Sequence, residues 1–167
     1  MENKILSCKK KIIIMKNLFF ILFFSVSIYA QETKDYFVLL TSDPMSNPSA
    51  AMMSINTASE ALKQGHNVVF FAAGDGVNIL MKDVIRNLHT VTPHGGNTNN
   101  ISKRAENLLT EFSKNGGVVH VSEGSFVTYG VNQENSAELL IDINNINWSY
   151  PKQLIQVSSN ADIVFSY

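Results

Sequence analysis

Along the chain, unbroken apolar runs alternate with stretches whose apolar residues recur every three or four positions. The first run is Tyr36-Phe37-Val38-Leu39-Leu40, and its lack of polar alternation is what a strand covered on both faces shows. It stops at Thr41-Ser42-Asp43-Pro44, a turn. Pro48 then opens a helix that lines up Ala51, Ile55, Ala58 and Leu62 on one side, with Gly65 as its C-terminal stop. A second run, Asn67-Val68-Val69-Phe70-Phe71-Ala72, belongs inside the same sheet. Gly74-Asp75-Gly76 ends it, and a helical turn from Val77 sends Leu80 and Met81 inward. His94-Gly95-Gly96-Asn97-Thr98-Asn99-Asn100 reads as a loop, after which Ile101, Ala105, Leu108, Leu109 and Phe112 mark a second amphipathic helix, stopped by Asn115-Gly116. Val118 to Val121 is the third strand, and it runs into a polar turn and a short helix. Ser149-Tyr150-Pro151 starts another helix, with Leu154, Ile155 and Ala161 predicted to face inward, and Ile163-Val164-Phe165 forms the last strand.

Strands and helices alternating in this order, with connections long enough for crossovers, predict an α/β fold: a three-layer sandwich with a mostly parallel sheet between helices. Ligands in such folds sit beyond the carboxyl ends of the strands. The residues expected on that rim are Thr41, Ser42 and Asp43 after the first strand, Gly74 and Asp75 after the second, and Ser122, Glu123 and Ser125 after the third.

The start of the chain has a different pattern. Lys9, Lys10, Lys11 and Lys16 precede an apolar run from Leu18 to Ile28, which ends at Tyr29-Ala30-Gln31. A basic segment, a short apolar stretch and a small residue before Gln31 describe a secretory signal peptide over residues 1–30, cleaved after Ala30. An uncleaved membrane anchor is the alternative, because Ile28 is larger than the usual small residue three positions before cleavage. Met15 opens a well-formed signal by itself, which makes residues 1–14 an alternative, misassigned start. The mature chain, residues 31–167, has the length of one domain and is expected in the periplasm or outside the cell, with no membrane association once the signal is cut. Removing residues 1–30 takes away five Lys and one Glu, so 13 basic and 14 acidic residues become 8 and 13, a net charge of −5. That balance carries no footprint for nucleic acid. Cys8 leaves with the signal, so the mature chain has no cysteine to pair even where oxidation is permitted.

Leu39-Leu40-Thr41-Ser42-Asp43, Gly65-His66-Asn67-Val68, Phe71-Ala72-Ala73-Gly74-Asp75-Gly76-Val77 and the stretch from Gly116 to Val131 together resemble the DsrE/DsrF-like family, over about Asp35 to Tyr167. The resemblance implies a compact three-layer domain that assembles into trimers or hexamers. Its sulfur-relay members carry a persulfide on a cysteine just after the strand that matches Val118 to Val121, and Ser122 stands there in this chain. A serine hydroxyl needs an adjacent base to become a nucleophile and cannot store a persulfide. The resemblance therefore implies a cysteine-free homo-oligomer that binds a small ligand or a partner on the rim, without a catalytic residue, metal or cofactor of its own. The alternative is an accessory or sulfurtransferase-like component of envelope sulfur metabolism that acts on the cysteine of a thiol-bearing partner, with Ser42, Ser122 and Ser125 only hydrogen-bonding the sulfur.

Sharper chemistry has simpler competitors at every position. Ser122 has Gly124 two residues on, but His120 two residues back, so it half-matches the hydrolase elbow. His120 shares its strand face and could approach it. The simpler reading is a serine that caps the following helix. Asp43, Asp75 and Glu123, with His94 from its loop, could hold a hard cation through oxygen ligands, whereas Asp75 alone reads as a helix cap and Glu123 as a favourable charge at a helix start. Gly74-Asp75-Gly76 lacks the spacing of either nucleotide motif, and its aspartate opposes a phosphate. The loop His94 to Asn100 could be a lid or plain surface. Trp148 and Tyr150 are expected to pack in the core or at a subunit contact.

Overall fold

The computed structural model describes residues 32–89 and 98–167. The signal peptide expected over residues 1–30 lies outside the described residues, as does His94 with the first part of its loop. The folded unit runs from Thr33 to Tyr167. Its strands are β1 (Asp35–Leu40), β2 (Asn67–Ala72), β3 (Val118–Ser122), β4 (Ile146–Ser149) and β5 (Ile163–Ser166). Its helices are α1 (Pro48–Lys63), α2 (Lys82–Ile85), α3 (Thr98–Lys114), α4 (Glu123–Thr128), α5 (Ser136–Leu139) and α6 (Pro151–Ser159), with a 3₁₀ helix over Gly74–Leu80. Among the described residues no helix is long and apolar enough to cross a membrane.

The strands form one five-stranded sheet in the order β4-β3-β2-β1-β5, and each strand pairing is parallel. The chain therefore steps in one direction from β1 to β4 and returns across the sheet to place β5 beside β1. Right-handed crossovers put α1 and α3 on one face, and the reversed step carries α6 over the other. On the first face Val38, Leu40, Val68, Phe70, Ala72, Val119 and Val121 form one core with Ala51, Ile55 and Ala58 of α1 and Ala105, Leu109 and Phe112 of α3. The intervening residues, including Phe37, Phe71, His120 and Ser122, point to the second face by strand alternation.

Four expectations need correction. Thr98, Asn99 and Asn100 belong to α3 rather than to a loop: their polarity signalled a turn, but the first turn of a helix, whose amides need no intrahelical partner, tolerates polar residues equally well. The helical turn after β2 starts at Gly74, three residues earlier than Val77. β4 is a strand the apolar runs did not announce, because it is an edge strand of only four residues, with Asn147 outward and Ile146 and Trp148 packed against the core. Ile155 does not face inward; it is 65% exposed, and α6 buries none of its residues. Trp148 lies 5.5 Å from the Phe126 ring and serves the core, while Tyr150 is exposed.

Candidate functional site

β3 passes directly into α4, and Ser122 is both the last residue of the strand and the N-cap of the helix, with extended backbone angles. Its Oγ accepts the Ser125 N–H at 3.3 Å, the bond a capping serine makes. The same Oγ accepts the Ser125 hydroxyl at 2.9 Å, and Ser125 Oγ in turn accepts the Gly74 N–H at 3.0 Å. Gly74 sits at φ +54, a left-handed conformation that costs a glycine little, and this turn at the end of β2 joins its amide to the end of β3. A relay thus runs from Gly74 through Ser125 to Ser122. Because Ser122 already accepts twice, its own hydroxyl hydrogen is left over, and among the described residues it has no acceptor.

A cavity of about 370 Å³ opens at this point, lined by Gly74, Asp75, Ser122, Gly124, Ser125, Thr128, Ser149, Tyr150 and Pro151. Half of the expected rim therefore converges: Gly74, Asp75, Ser122 and Ser125. Thr41 and Ser42 do not join them. Their amides donate to the Tyr167 carbonyl at 2.9 and 3.4 Å, and the Thr41 hydroxyl donates to it at 3.2 Å. Tyr167 thereby occupies the crevice between β1 and β5, where the strand order reverses and where a ligand would otherwise be sought.

The three carboxylates are engaged separately. Asp43 accepts the amides of Met45 and Ser46 at 3.1 and 3.2 Å, closing its own turn. Asp75 accepts the Tyr129 hydroxyl at 2.6 Å, which keeps that phenol protonated and raises its pKa. Glu123 stands in the first turn of α4, where a negative charge is favoured, and a hydrogen bond to it raises the pKa of Tyr150. Among the described residues no group of three metal-binding side chains forms, so the shared cation site is not assembled there. Nor is Asp75 a helix cap. That position is Ala73, because the 3₁₀ helix starts one turn earlier than its apolar residues suggest.

His120 and Ser122 share a face without pairing. His120 Nδ1 lies 2.8 Å from Ser149 Oγ, and Ser149, 1% exposed, donates onward to the Asn147 carbonyl at 3.2 Å. That onward bond assigns the donor hydrogen to Nδ1. Phe71 stacks on the imidazole with ring centres 5.6 Å apart, and burial pushes its pKa below the ordinary 6.5. The base of a serine hydrolase would have to touch Ser122; this histidine is committed to its neighbour on β4. Ser149, Tyr150 and Pro151, which complete the cavity, were read from sequence as a helix start, and Tyr150 also as a core or subunit-contact residue, but not as part of the rim. What brings them to Ser122 is the β3–β4 register, with Ser122 opposite Ser149, and that register is invisible until β4 is recognised.

The model of the DsrE/DsrF-like family matches residues 34–167, essentially the whole folded unit. The chain belongs to the DsrE/DsrF-like family. Among solved structures, the ychN protein from E. coli is 18% identical with a TM-score of 0.53, covering 81% of this chain and 100% of its own. A conserved protein of unknown function, BT1422 from Bacteroides thetaiotaomicron, is 12% identical with a TM-score of 0.48, covering 84% of this chain and 99% of its own. At such identities the likeness to ychN shows the fold alone. No curated protein matches the chain. Within this DsrE/DsrF-like domain the persulfide cysteine is missing: the only cysteine of the sequence is Cys8, outside the matched residues.

Proposed function

We propose that this DsrE/DsrF-like protein is exported, assembles with copies of itself, and binds a small ligand or a partner group in the rim cavity without sulfur-transfer chemistry of its own. The observation that carries the reading is the relay from Gly74 through Ser125 to Ser122, which leaves the Ser122 hydroxyl hydrogen unspent on a residue that lines a cavity of about 370 Å³. Such a donor recognises a neutral oxygen, nitrogen or sulfur acceptor. Asp75 on the same wall opposes an anion and favours a neutral or cationic molecule. This weighs against an anionic persulfide delivered from a partner's cysteine, the competing reading, and it gives Ser122 the role of a binding donor rather than a nucleophile. Self-association is supported by the apolar residues left on the second face, with Val118, Val164 and Ile155 exposed at 40, 54 and 65%.

Native mass spectrometry of the mature chain, purified gently from its own envelope, tests the reading. A neutral or cationic small molecule that co-purifies with an oligomer, and that Ser122→Ala releases, is the expected result. A thiol-bearing protein partner carrying transferable sulfur would replace it with the sulfur-accessory reading, and a ligand-free monomer would refute both binding and assembly.

A further inference from the structure

β4 is an edge strand, so nothing pairs beyond it, and its first-face side chains are covered from one side only. Those side chains are Ile146 and Trp148, in register with Val119 and Val121 of the core. Beside them opens a second cavity, of about 460 Å³, whose apolar wall is completed by Leu140, Ile141 and Ile143 from the segment after α5. Leu140 and Ile141 are buried, whereas Ile143, Ile146 and Trp148 are half-buried. The segment is pinned in place: the Ile141 N–H donates to the Leu80 carbonyl at 2.9 Å, and Leu140 bridges to Met81. An apolar wall that the chain leaves partly uncovered is thus held on a firm backbone.

Lys82 supplies the charge. It opens α2 and reaches the C-terminal end of α5, where its Nζ donates to the Ala137 carbonyl at 3.0 Å and to the Glu138 carbonyl. Lys82 and Ala137 both line the cavity, so the ammonium is held at its wall. An ammonium carries three hydrogens, and two are spent on these carbonyls. Its charge meets no carboxylate: the ion pairs among the described residues join Arg86 to Glu106 and Lys114 to Asp142. Asp142 is the acidic residue of the lining, and Lys114 already neutralises it at 3.3 Å. The cavity therefore sets an unbalanced positive charge beside an apolar wall, the reverse of the rim, where Asp75 opposes an anion. Its volume lies in the range of about 300–1,000 Å³ that small-molecule sites occupy.

We propose that this cavity is a binding site, separate from the rim, for a small molecule with an apolar body and one carboxylate, the body lying on Ile143, Ile146 and Trp148 and the carboxylate accepting from Lys82 Nζ. Octanoate and 1-octanol, alike in chain and different in charge, are the probes, titrated into the full-length chain. Trp148 is the only tryptophan of the sequence, so its fluorescence reports occupancy, and amide NMR shows where each probe sits. Octanoate should change the Trp148 emission, shift the amides of Leu140, Ile143 and Ile146, and bind about five- to tenfold tighter than octanol, between the worth of an exposed ion pair and that of a charged hydrogen bond. Added salt should shrink that preference. Lys82→Met, which keeps the stem and loses the charge, should abolish the preference while leaving octanol affinity in place, and Lys82→Arg should keep it. Lys82 also ties α2 to α5, so if circular dichroism shows that Lys82→Met does not fold, Ile143→Glu takes its place: a carboxylate beside the apolar wall should weaken octanoate more than octanol. Equal binding of the two probes, a preference that survives Lys82→Met or Ile143→Glu, or amide shifts confined to Ser122, Gly124 and Ser125 of the rim would overturn the assignment.

Discussion

On the first face of the sheet α1 buries Ala51, Ser54, Ile55, Ala58, Ser59 and Ala61, whereas α6, over the second face, buries none of its residues. The strands beneath differ less than the helices do. Phe37 and Phe71 at the middle of the second face are 1% exposed, as buried as anything under α1, while Val118 and Val164 toward its edges are 40 and 54% exposed. An unbroken apolar strand thus says that both its faces expect cover, and it does not say that the chain itself supplies all of it. The first face is a finished core; the second is finished at its centre and open at its rim, and the rim cavity with Ser122 belongs to that open side.

The largest effect should come from taking one isoleucine from each face. Ile55→Ala creates a cavity in a fully buried position and should cost about 2–5 kcal/mol in denaturant unfolding. Ile155→Ala removes a side chain that is 65% exposed and should stay within about 0.5 kcal/mol. Equal costs would erase the distinction. The proposed assembly sharpens it: Ile155→Asp should lower the oligomeric mass by light scattering and leave the circular dichroism of the protomer unchanged.

The joint between the faces should be the next most sensitive place. A Cβ at Gly76 would lie 2.3 Å from the Leu40 carbonyl oxygen, a backbone atom that cannot swing aside. Gly76→Ala should therefore cost about 1–3 kcal/mol, as overpacked sites do, with thermal unfolding as the readout; a neutral result would mean that the 3₁₀ helix floats free of β1. Smaller again is Ser122→Ala, which deletes a cap and should cost about 0.5–2 kcal/mol. Ser122→Cys asks a chemical question of the same position. Its thiolate should attack a sulfur–sulfur bond of added polysulfide, gaining one sulfur by mass while a shorter polysulfide leaves. An inert thiol would show that this end of β3 does not favour the chemistry expected at the cysteine of sulfur-relay members.

What could be read from the sequence divides along the same line as the two faces. β1, β2, β3, α1 and α3 were legible from continuous apolar runs and a three-to-four spacing, and both helices are followed by glycines that stop them: Gly65 and Gly116 adopt φ of +85 and +97. The Ser122 cap was legible from its place between a strand and an acidic first turn. Ile155 was misread because apolar spacing on a short helix reports a face that wants cover, and nothing local tells whether the chain or another molecule provides it. The relay and the cavity were not legible for a different reason: Gly74, Ser125 and Ser149 meet only through strand register, a long-range property that a run of residues does not encode.

The smallest effect concerns His120, which also stands on the second face. Burial beneath Phe71 and beside Ser149 holds its folded-state pKa below 6.5, so folding favours the neutral ring. Between that lowered value and 6.5 the unfolded chain binds more protons than the folded one, and stability must rise with pH there. Stability should accordingly be complete above pH 6.5, decline as the pH falls through it, and level off once the folded ring is protonated as well. The ring is only half-buried, so solvent limits the size of the decline. His120→Gln should remove this part of the pH dependence while the hydrogen bond to Ser149 can be remade by the amide; the comparison of the two urea midpoints at pH 7.5 and 5.5 reads it. A histidine sealed as deeply as the first-face core would give a steep loss over that interval, and one that ligand or partner approaches from outside would give almost none. A modest loss, abolished by the glutamine, would put His120 at the boundary where the closed centre of the second face meets its open side.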